Sequence, residues 1–149
     1  MRRFLSGLCL LALLSWQWPA HAAGTPESLI DAFLQANRQD DVETMLVLAL
    51  PRHEGAIRSP RWREFWKGFT VTRYLDTRLA PAQGLRQEAE VHVMLEYSDE
   101  LLAKVRAHYE TLPPGQTREL TRQTLERRGR RVVAIRVLRL GEDWYWDHE

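Results

Sequence analysis

The last third of the sequence carries a group of arginines that could bind an anion. Residues 117–140 contain eight Arg and two Glu, a net charge of +6, whereas the rest of residues 23–149 sums to −7. A guanidinium group offers paired planar donors that fit a carboxylate or a phosphate. We therefore predict contact with an anionic partner through the four arginines that flank Gly129: Arg127, Arg128, Arg130 and Arg131.

Three kinds of anionic partner fit this charge: an acidic protein, an anionic lipid headgroup or a polyanionic polymer of the cell envelope. The alternative is that the arginines pair with acidic side chains on adjoining strands and keep a sheet soluble. The candidates for that pairing are Glu88, Glu90 and Glu96. The sequence leaves both interpretations open.

A histidine between two acids could act in proton transfer. On a strand, His92 shares one face with Glu90 and Glu96, with about 7 Å between successive same-face positions. A neighbouring carboxylate raises the pKa of an imidazole and orients it as a general base. Because Val91 and Val93 occupy the opposite, apolar face, exposure of the acidic row to water is the simpler explanation.

Tyr74 and Asp76 are the other candidates for catalysis, since residues two apart on a strand lie on the same face. A buried acid beside a phenol is a pair that isomerases use to move protons. Arg73 and Arg78 lie nearby in the sequence. They offer the alternative that Asp76 belongs to a surface ion pair.

Four aromatic residues follow helical spacing, at positions i, i+3, i+4 and i+7: Trp62, Phe65, Trp66 and Phe69. Residues with this spacing share one face of a helix. Such a face usually packs in the core, and large rigid rings also line pockets for small apolar ligands. We keep both interpretations for this stripe.

The sequence gives no support for a metal ion or a cofactor. His53, His92 and His108 are far apart, no pair of them has ligand spacing, and residues 23–149 contain no Cys. Zinc sites in proteins need several such ligands brought together. We predict neither a metal site nor a cofactor.

The first 22 residues have the form of a cleaved secretory signal. Two arginines precede the mostly apolar residues 4–18, and Ala stands at positions 20 and 22, where a signal peptidase requires small side chains. The apolar part is shorter than the roughly 20 residues that cross a bilayer. We expect cleavage after Ala22, one domain over residues 23–149 and a periplasmic location, which disfavours nucleic acid as a partner.

The elements that must position these side chains are helices first and strands afterwards. Capping residues at Thr25, Asp41 and Ser59 precede short segments with helical apolar spacing. The order of elements predicts the α+β class, with N-terminal helices packed on a curved antiparallel sheet.

The strand predictions rest on alternation. Residues 89–97 alternate apolar and polar side chains and predict a half-buried strand. An inserted helix is expected near residues 99–112. Residues 117–128 place Thr and Leu in near alternation, so we predict a strand there in preference to a weak helix, with Gly129 as the bend to the next strand.

Two segments resemble the nuclear-transport-factor-two-like superfamily, the cystatin-like cone that includes ketosteroid isomerase and the SnoaL-like proteins. The first is Ser28–Asn37 with its continuation over residues 40–46, and the second is the closing segment Val137–Asp147, where a turn precedes Trp144. The resemblance implies a curved sheet around helices. It also implies a cavity that holds either a small hydrophobic ligand or a carboxylate-based active site.

These observations favour an exported, non-catalytic binding or interaction domain with an aromatic interior and an Arg-rich sheet surface. Its partner would be a small apolar ligand or an anionic molecule, and an exposed sheet is compatible with a homodimer. The alternative is a small isomerase or dehydratase that uses Asp76, Tyr74 or His92 in the cavity.

Overall fold

The first helices begin at the caps that the sequence supplies; the computed structural model describes residues 24–149. The hydroxyl of Thr25 accepts a hydrogen bond from the backbone of Ser28, and Pro26 occupies the first helical position. The carboxylate of Asp41 caps the next helix by accepting from the backbone of Thr44. Each cap satisfies a backbone donor that the helix itself leaves unpaired.

Residues 24–149 form six α-helices and one antiparallel sheet of four strands in the order β1-β2-β3-β4. A 3-10 turn over Pro51–His53 precedes the third helix. The elements are α1 (Pro26–Arg38), α2 (Val42–Leu48), α3 (Glu54–Arg58), α4 (Pro60–Lys67), β1 (Phe69–Leu79), β2 (Arg86–Tyr97), α5 (Asp99–Thr111), α6 (Gln116–Glu126), β3 (Arg131–Leu140) and β4 (Asp143–Trp146).

The core lies between the helices α1–α4 and one face of the sheet. Val91 and Val93 of β2 are fully buried on that face, as the alternation predicted. Trp146 of β4 is also fully buried, and its ring stacks on that of Phe33 in α1 with 4.2 Å between centroids. The predicted α+β class, with helices packed on an antiparallel sheet, is confirmed, as is the helix near residues 99–112.

The strand predicted over residues 117–128 is wrong, because this segment forms α6. Its charges have helical spacing: Arg122 pairs with Glu119 three residues before it and with Glu126 four residues after it. The hydroxyls of Thr121 and Thr124 donate to carbonyls one turn earlier. None of the residues of α6 is fully buried, so the Thr and Leu alternation that suggested a strand did not reflect a sheet face.

Gly129 joins α6 to β3 and is not a bend between two strands. Its φ of +63° lies in the left-handed region, which costs residues with a Cβ roughly 1–2 kcal/mol. A Cβ at this position would lie 2.5 Å from Cγ of Tyr97. The junction therefore requires glycine both for its backbone angle and for the close approach of this ring.

Replacing Gly129 by alanine should destabilise the protein by about 2–4 kcal/mol, the combined cost of the left-handed backbone and of overpacking against Tyr97. Chemical denaturation at neutral pH measures this loss. Gly55→Ala is the matched control, because Gly55 lies in α3 with open space around it, where alanine should stabilise the helix slightly. Equal stabilities of the two variants would contradict the assigned geometry of the junction.

Candidate functional site

Three of the predicted arginines line one cleft between α6 and β3. This cleft, named here the α6–β3 cleft, has a volume of about 300 Å³. Its lining residues are Tyr97, Leu120, Gln123, Thr124, Arg127, Gly129, Arg130 and Arg131. The lining thus combines three guanidinium groups with an aromatic ring, an amide and an exposed leucine, and it includes no carboxylate.

The four predicted arginines differ in their partners. Arg128 and Arg130 both bind Glu96, at 3.1 and 2.7 Å, and Arg128 also binds Asp99 at 3.0 Å. The hydrogen bond from Arg130, with help from Arg128, lowers the pKa of Glu96. For these two arginines the structure agrees with the alternative of pairing with acids, in particular with Glu96.

Arg127 and Arg131 have no carboxylate partner within 4.0 Å among residues 24–149. The guanidinium carbon of Arg131 lies 4.1 Å from the centroid of the Phe69 ring, a cation–π contact that leaves its donors available. All four arginines lie where a helix meets a strand, so the expected hairpin bend is corrected to a helix–strand junction.

Tyr74 and Asp76 lie on opposite faces of β1, and the predicted shared face is wrong. Tyr74 pairs with Val93, a buried position, whereas Asp76 pairs with His92 on the opposite face of the sheet. A register shift between the two residues breaks the alternation. This irregularity is a bulge, which adds one residue to a strand and reverses the face of those that follow.

Asp76 and His92 are brought together by the same shift. Oδ1 of Asp76 lies 3.2 Å from Nδ1 of His92, whose side chain is 18% exposed. Arg78 also binds Asp76, with 3.0 Å between Nε and Oδ2. Asp76 is therefore a member of a surface ion pair, as the alternative interpretation expected.

The hydroxyl of Tyr74 connects β1 to α1. It donates to Oδ1 of Asp31 at 2.6 Å, and it lies 3.2 Å from the carbonyl oxygen of Glu27. Burial, together with this bond to Asp31, raises the pKa of Tyr74 far above its usual value. The phenol is consequently held in its protonated form and acts as a hydrogen-bond donor within the fold.

Three of the four residues of the aromatic stripe pack into the interior, and Phe65 does not. Trp66 and Phe69 are 4% and 6% exposed, whereas Phe65 is 55% exposed. Trp66 contacts the rings of Trp62 and Trp146, with centroids 6.0 and 5.3 Å apart. These contacts are core packing, and the expected role of the stripe in lining a ligand pocket stays a prediction.

A buried pair that sequence reasoning missed lies beside the sheet. Nε2 of His53 is 3.0 Å from Oδ1 of Asp147, and both residues are 6% exposed. Arg52 binds the same carboxylate. Ala49 forms a bridge with Trp146 that brings the 3-10 turn to the end of β4. Since the partners are 94 residues apart, no local spacing could have indicated them.

The Asp147 pair predicts a specific dependence of stability on pH. Burial raises the pKa of Asp147, but hydrogen bonds from His53 and Arg52 outweigh it and leave the pKa below its usual value. The stabilisation is therefore fully present above about pH 4, the ordinary range of an unfolded Asp, and is lost as the pH falls through the lower folded value.

Asp147→Asn should cost about 1–3 kcal/mol at pH 7 and should flatten the fall in stability below about pH 4. Denaturation curves at pH 7 and at a series of acid pH values measure the two effects. Glu142→Gln is the control, because it removes the same charge from a nearby exposed position. If the free energy of unfolding falls as steeply at acid pH in the Asp147→Asn variant as in the wild type, this carboxylate is not the group responsible.

Two features are absent from residues 24–149: a metal-binding group and a membrane-spanning helix. No group of three or more His, Cys, Asp or Glu within residues 24–149 could hold a metal ion. No helix over the same residues is long and apolar enough to cross a membrane. The expected signal segment, residues 1–22, lies outside the part of the chain that the structure describes.

No protein-family model, curated protein or solved structure matches the chain. The resemblance to the nuclear-transport-factor-two-like superfamily therefore stays a prediction.

Proposed function

We propose that this chain is an exported, non-catalytic binding domain that takes an acidic segment of a partner protein in the α6–β3 cleft. The observation that carries the proposal is the lining of this cleft, where three guanidinium groups meet no lining carboxylate. Arg130 is held by Glu96, so Arg127 and Arg131 supply the open donors. Each can bind a carboxylate through two parallel hydrogen bonds.

The size and composition of the cleft favour a protein segment over a membrane surface or a long polymer. A volume of about 300 Å³ admits a few side chains, while a flat lipid surface cannot enter it. Leu120 is 55% exposed at its edge and offers apolar contact beside the charges. The amide nitrogen of Gln123 donates to Glu119 at 2.9 Å, and its amide oxygen can accept from a peptide backbone.

The catalytic alternative has weaker support. Its three candidates do not share a cavity, because Tyr74 bonds to α1 while Asp76 and His92 lie on the other face of the sheet. Asp76 is already bound by Arg78, with 3.0 Å between Nε and Oδ2. The side chain of Asp76 is 49% exposed, so it is not the buried acid beside a phenol that proton transfer of this kind requires.

Binding of a labelled peptide that alternates Glu and Leu tests the proposal, with its Gln and Leu analogue as the control. Fluorescence anisotropy should show saturable binding of the acidic peptide at about 50 mM salt and its loss near 0.5 M, where charges are screened within about 3–5 Å. A second experiment measures binding of the protein to vesicles of anionic lipid and to vesicles of neutral lipid. Binding to anionic vesicles with no binding of the peptide would overturn the choice of a protein partner.

Export is tested separately. Mass spectrometry of the protein recovered from the envelope fraction should show a chain that begins at residue 23, the product of cleavage after Ala22. Recovery of the uncleaved chain from the cytoplasm would contradict this part of the proposal without affecting the binding site.

A further inference from the structure

A second cleft lies where β1 ends and β2 begins, away from the α6–β3 cleft. Strand register places Arg78, Glu90 and Arg136 in one row across β1, β2 and β3. Beyond this row, the backbone of Asp147 bonds to that of Arg136, and Arg52 binds the Asp147 carboxylate. The charges thus alternate in sign from one strand to the next, and we name the space the alternating-charge cleft.

The alternating-charge cleft has a volume of about 440 Å³. Four arginines and three acids line it, a net charge of +1, together with apolar atoms. The lining residues are Arg52, Arg78, Leu79, Ala80, Arg86, Glu88, Ala89, Glu90, Arg136, Val137 and Asp147.

Three of the four arginines are held by carboxylates. Arg86 binds Glu88 at 2.8 Å, Arg78 binds Asp76 at 3.0 Å, and Arg52 binds Asp147. These bonds fix the guanidinium groups at the wall of the cleft. Each Arg keeps further donors, because a guanidinium carries five N–H groups.

Glu90 and Arg136 are left open. They are direct cross-strand partners in the register, yet within residues 24–149 neither has an ion-pair partner within 4.0 Å. Side chains at such positions have Cβ atoms about 5 Å apart. One carboxylate and one guanidinium therefore stand side by side, each with its bonding capacity unused by the protein.

We propose that the alternating-charge cleft binds an acidic α-amino acid. Arg136 would hold the α-carboxylate through paired hydrogen bonds, and Glu90 would accept from the α-ammonium beside it. The ligand's second carboxylate would meet the donors of the held arginines. Its net charge of −1 complements the +1 of the lining.

Calorimetric titration of the full chain with L-glutamate tests this site, and glutarate is the matched ligand because it keeps both carboxylates and lacks the ammonium. Glutamate should bind saturably in the millimolar range or below, at least about tenfold more tightly than glutarate. Equal affinity for the two ligands, or no saturation by glutamate at about ten millimolar, would overturn the proposal.

Two variants give opposite results if the assignment is right. Arg136→Gln should lower the affinity for both ligands. Glu90→Gln should lower the affinity for glutamate, because the partner of the ammonium is lost. The same variant should raise the affinity for glutarate, because a repelling carboxylate is removed. Both residues are exposed, so melting curves should match the wild type. Arg131→Gln in the α6–β3 cleft should leave glutamate binding unchanged. A Glu90→Gln variant with unaltered preference between the two ligands would contradict the role of Glu90.

Discussion

Trp146→Ala should lower the free energy of unfolding by about 3–5 kcal/mol, the cost of removing a large buried aromatic side chain. Trp146 is fully buried, and its indole stacks on Phe33 and meets the edge of Trp66. It thus joins α1, α4 and β4 at one point. Its Nε1 also donates to the carbonyl of His148 at 2.7 Å, a bond that alanine cannot replace.

Urea denaturation followed by far-UV circular dichroism measures the effect. Phe65→Ala is the matched control, since it removes an aromatic ring that is 55% exposed, and it should cost less than about 1.5 kcal/mol because most of that surface is already in water. Similar losses for the two variants would contradict the assignment of Trp146 to the centre of the core.

Replacing both Arg127 and Arg131 by Gln should weaken binding of the acidic peptide about 100-fold. Charge-assisted hydrogen bonds contribute about 1.5–3 kcal/mol each, so the loss of two open guanidinium groups removes at least two factors of ten. Arg128 and Arg130 remain bound to Glu96 and cannot substitute for them without breaking those pairs.

The control for this variant is Arg61→Gln with Arg106→Gln, which removes the same two charges from exposed positions outside the cleft. It should weaken binding by no more than about threefold, through the long-range field alone. Melting curves show whether the loss of the contact between Arg131 and Phe69 has altered the fold. An equal effect of the two double variants would mean that net charge, and not the cleft, attracts the peptide.

Local signals account for the parts of the fold that could be predicted. The cap at Thr25 acts through residues three positions away, and the alternation in β2 reflects one buried face. Both signals depend on residues that are close in the sequence, so they can be recognised from one sequence alone. The same holds for α5, where Ser98 accepts from the backbone of Leu101.

The two wrong predictions, the face of Asp76 and the strand over residues 117–128, concern segments whose structure depends on more than their nearest neighbours in the sequence. The bulge before Asp76 depends on pairing with β2 and reversed the expected face. The exposed position of α6 let Thr side chains bond to their own helix, which a Thr and Leu alternation does not reveal.

The same distinction between local and long-range information applies to the candidate site. The arginines around Gly129 could be found from charge alone, but the distinction between paired Arg128 and open Arg127 required the position of Glu96.

Nuclear magnetic resonance of the ¹⁵N-labelled chain during titration with the acidic peptide tests the central claim most directly. Shift changes should saturate and should concentrate on residues 120–131 and Tyr97, with the Arg Nε signals of Arg127 and Arg131 moving most. Changes spread over all exposed arginines, or centred outside this region, would show that the α6–β3 cleft is not where an acidic partner binds.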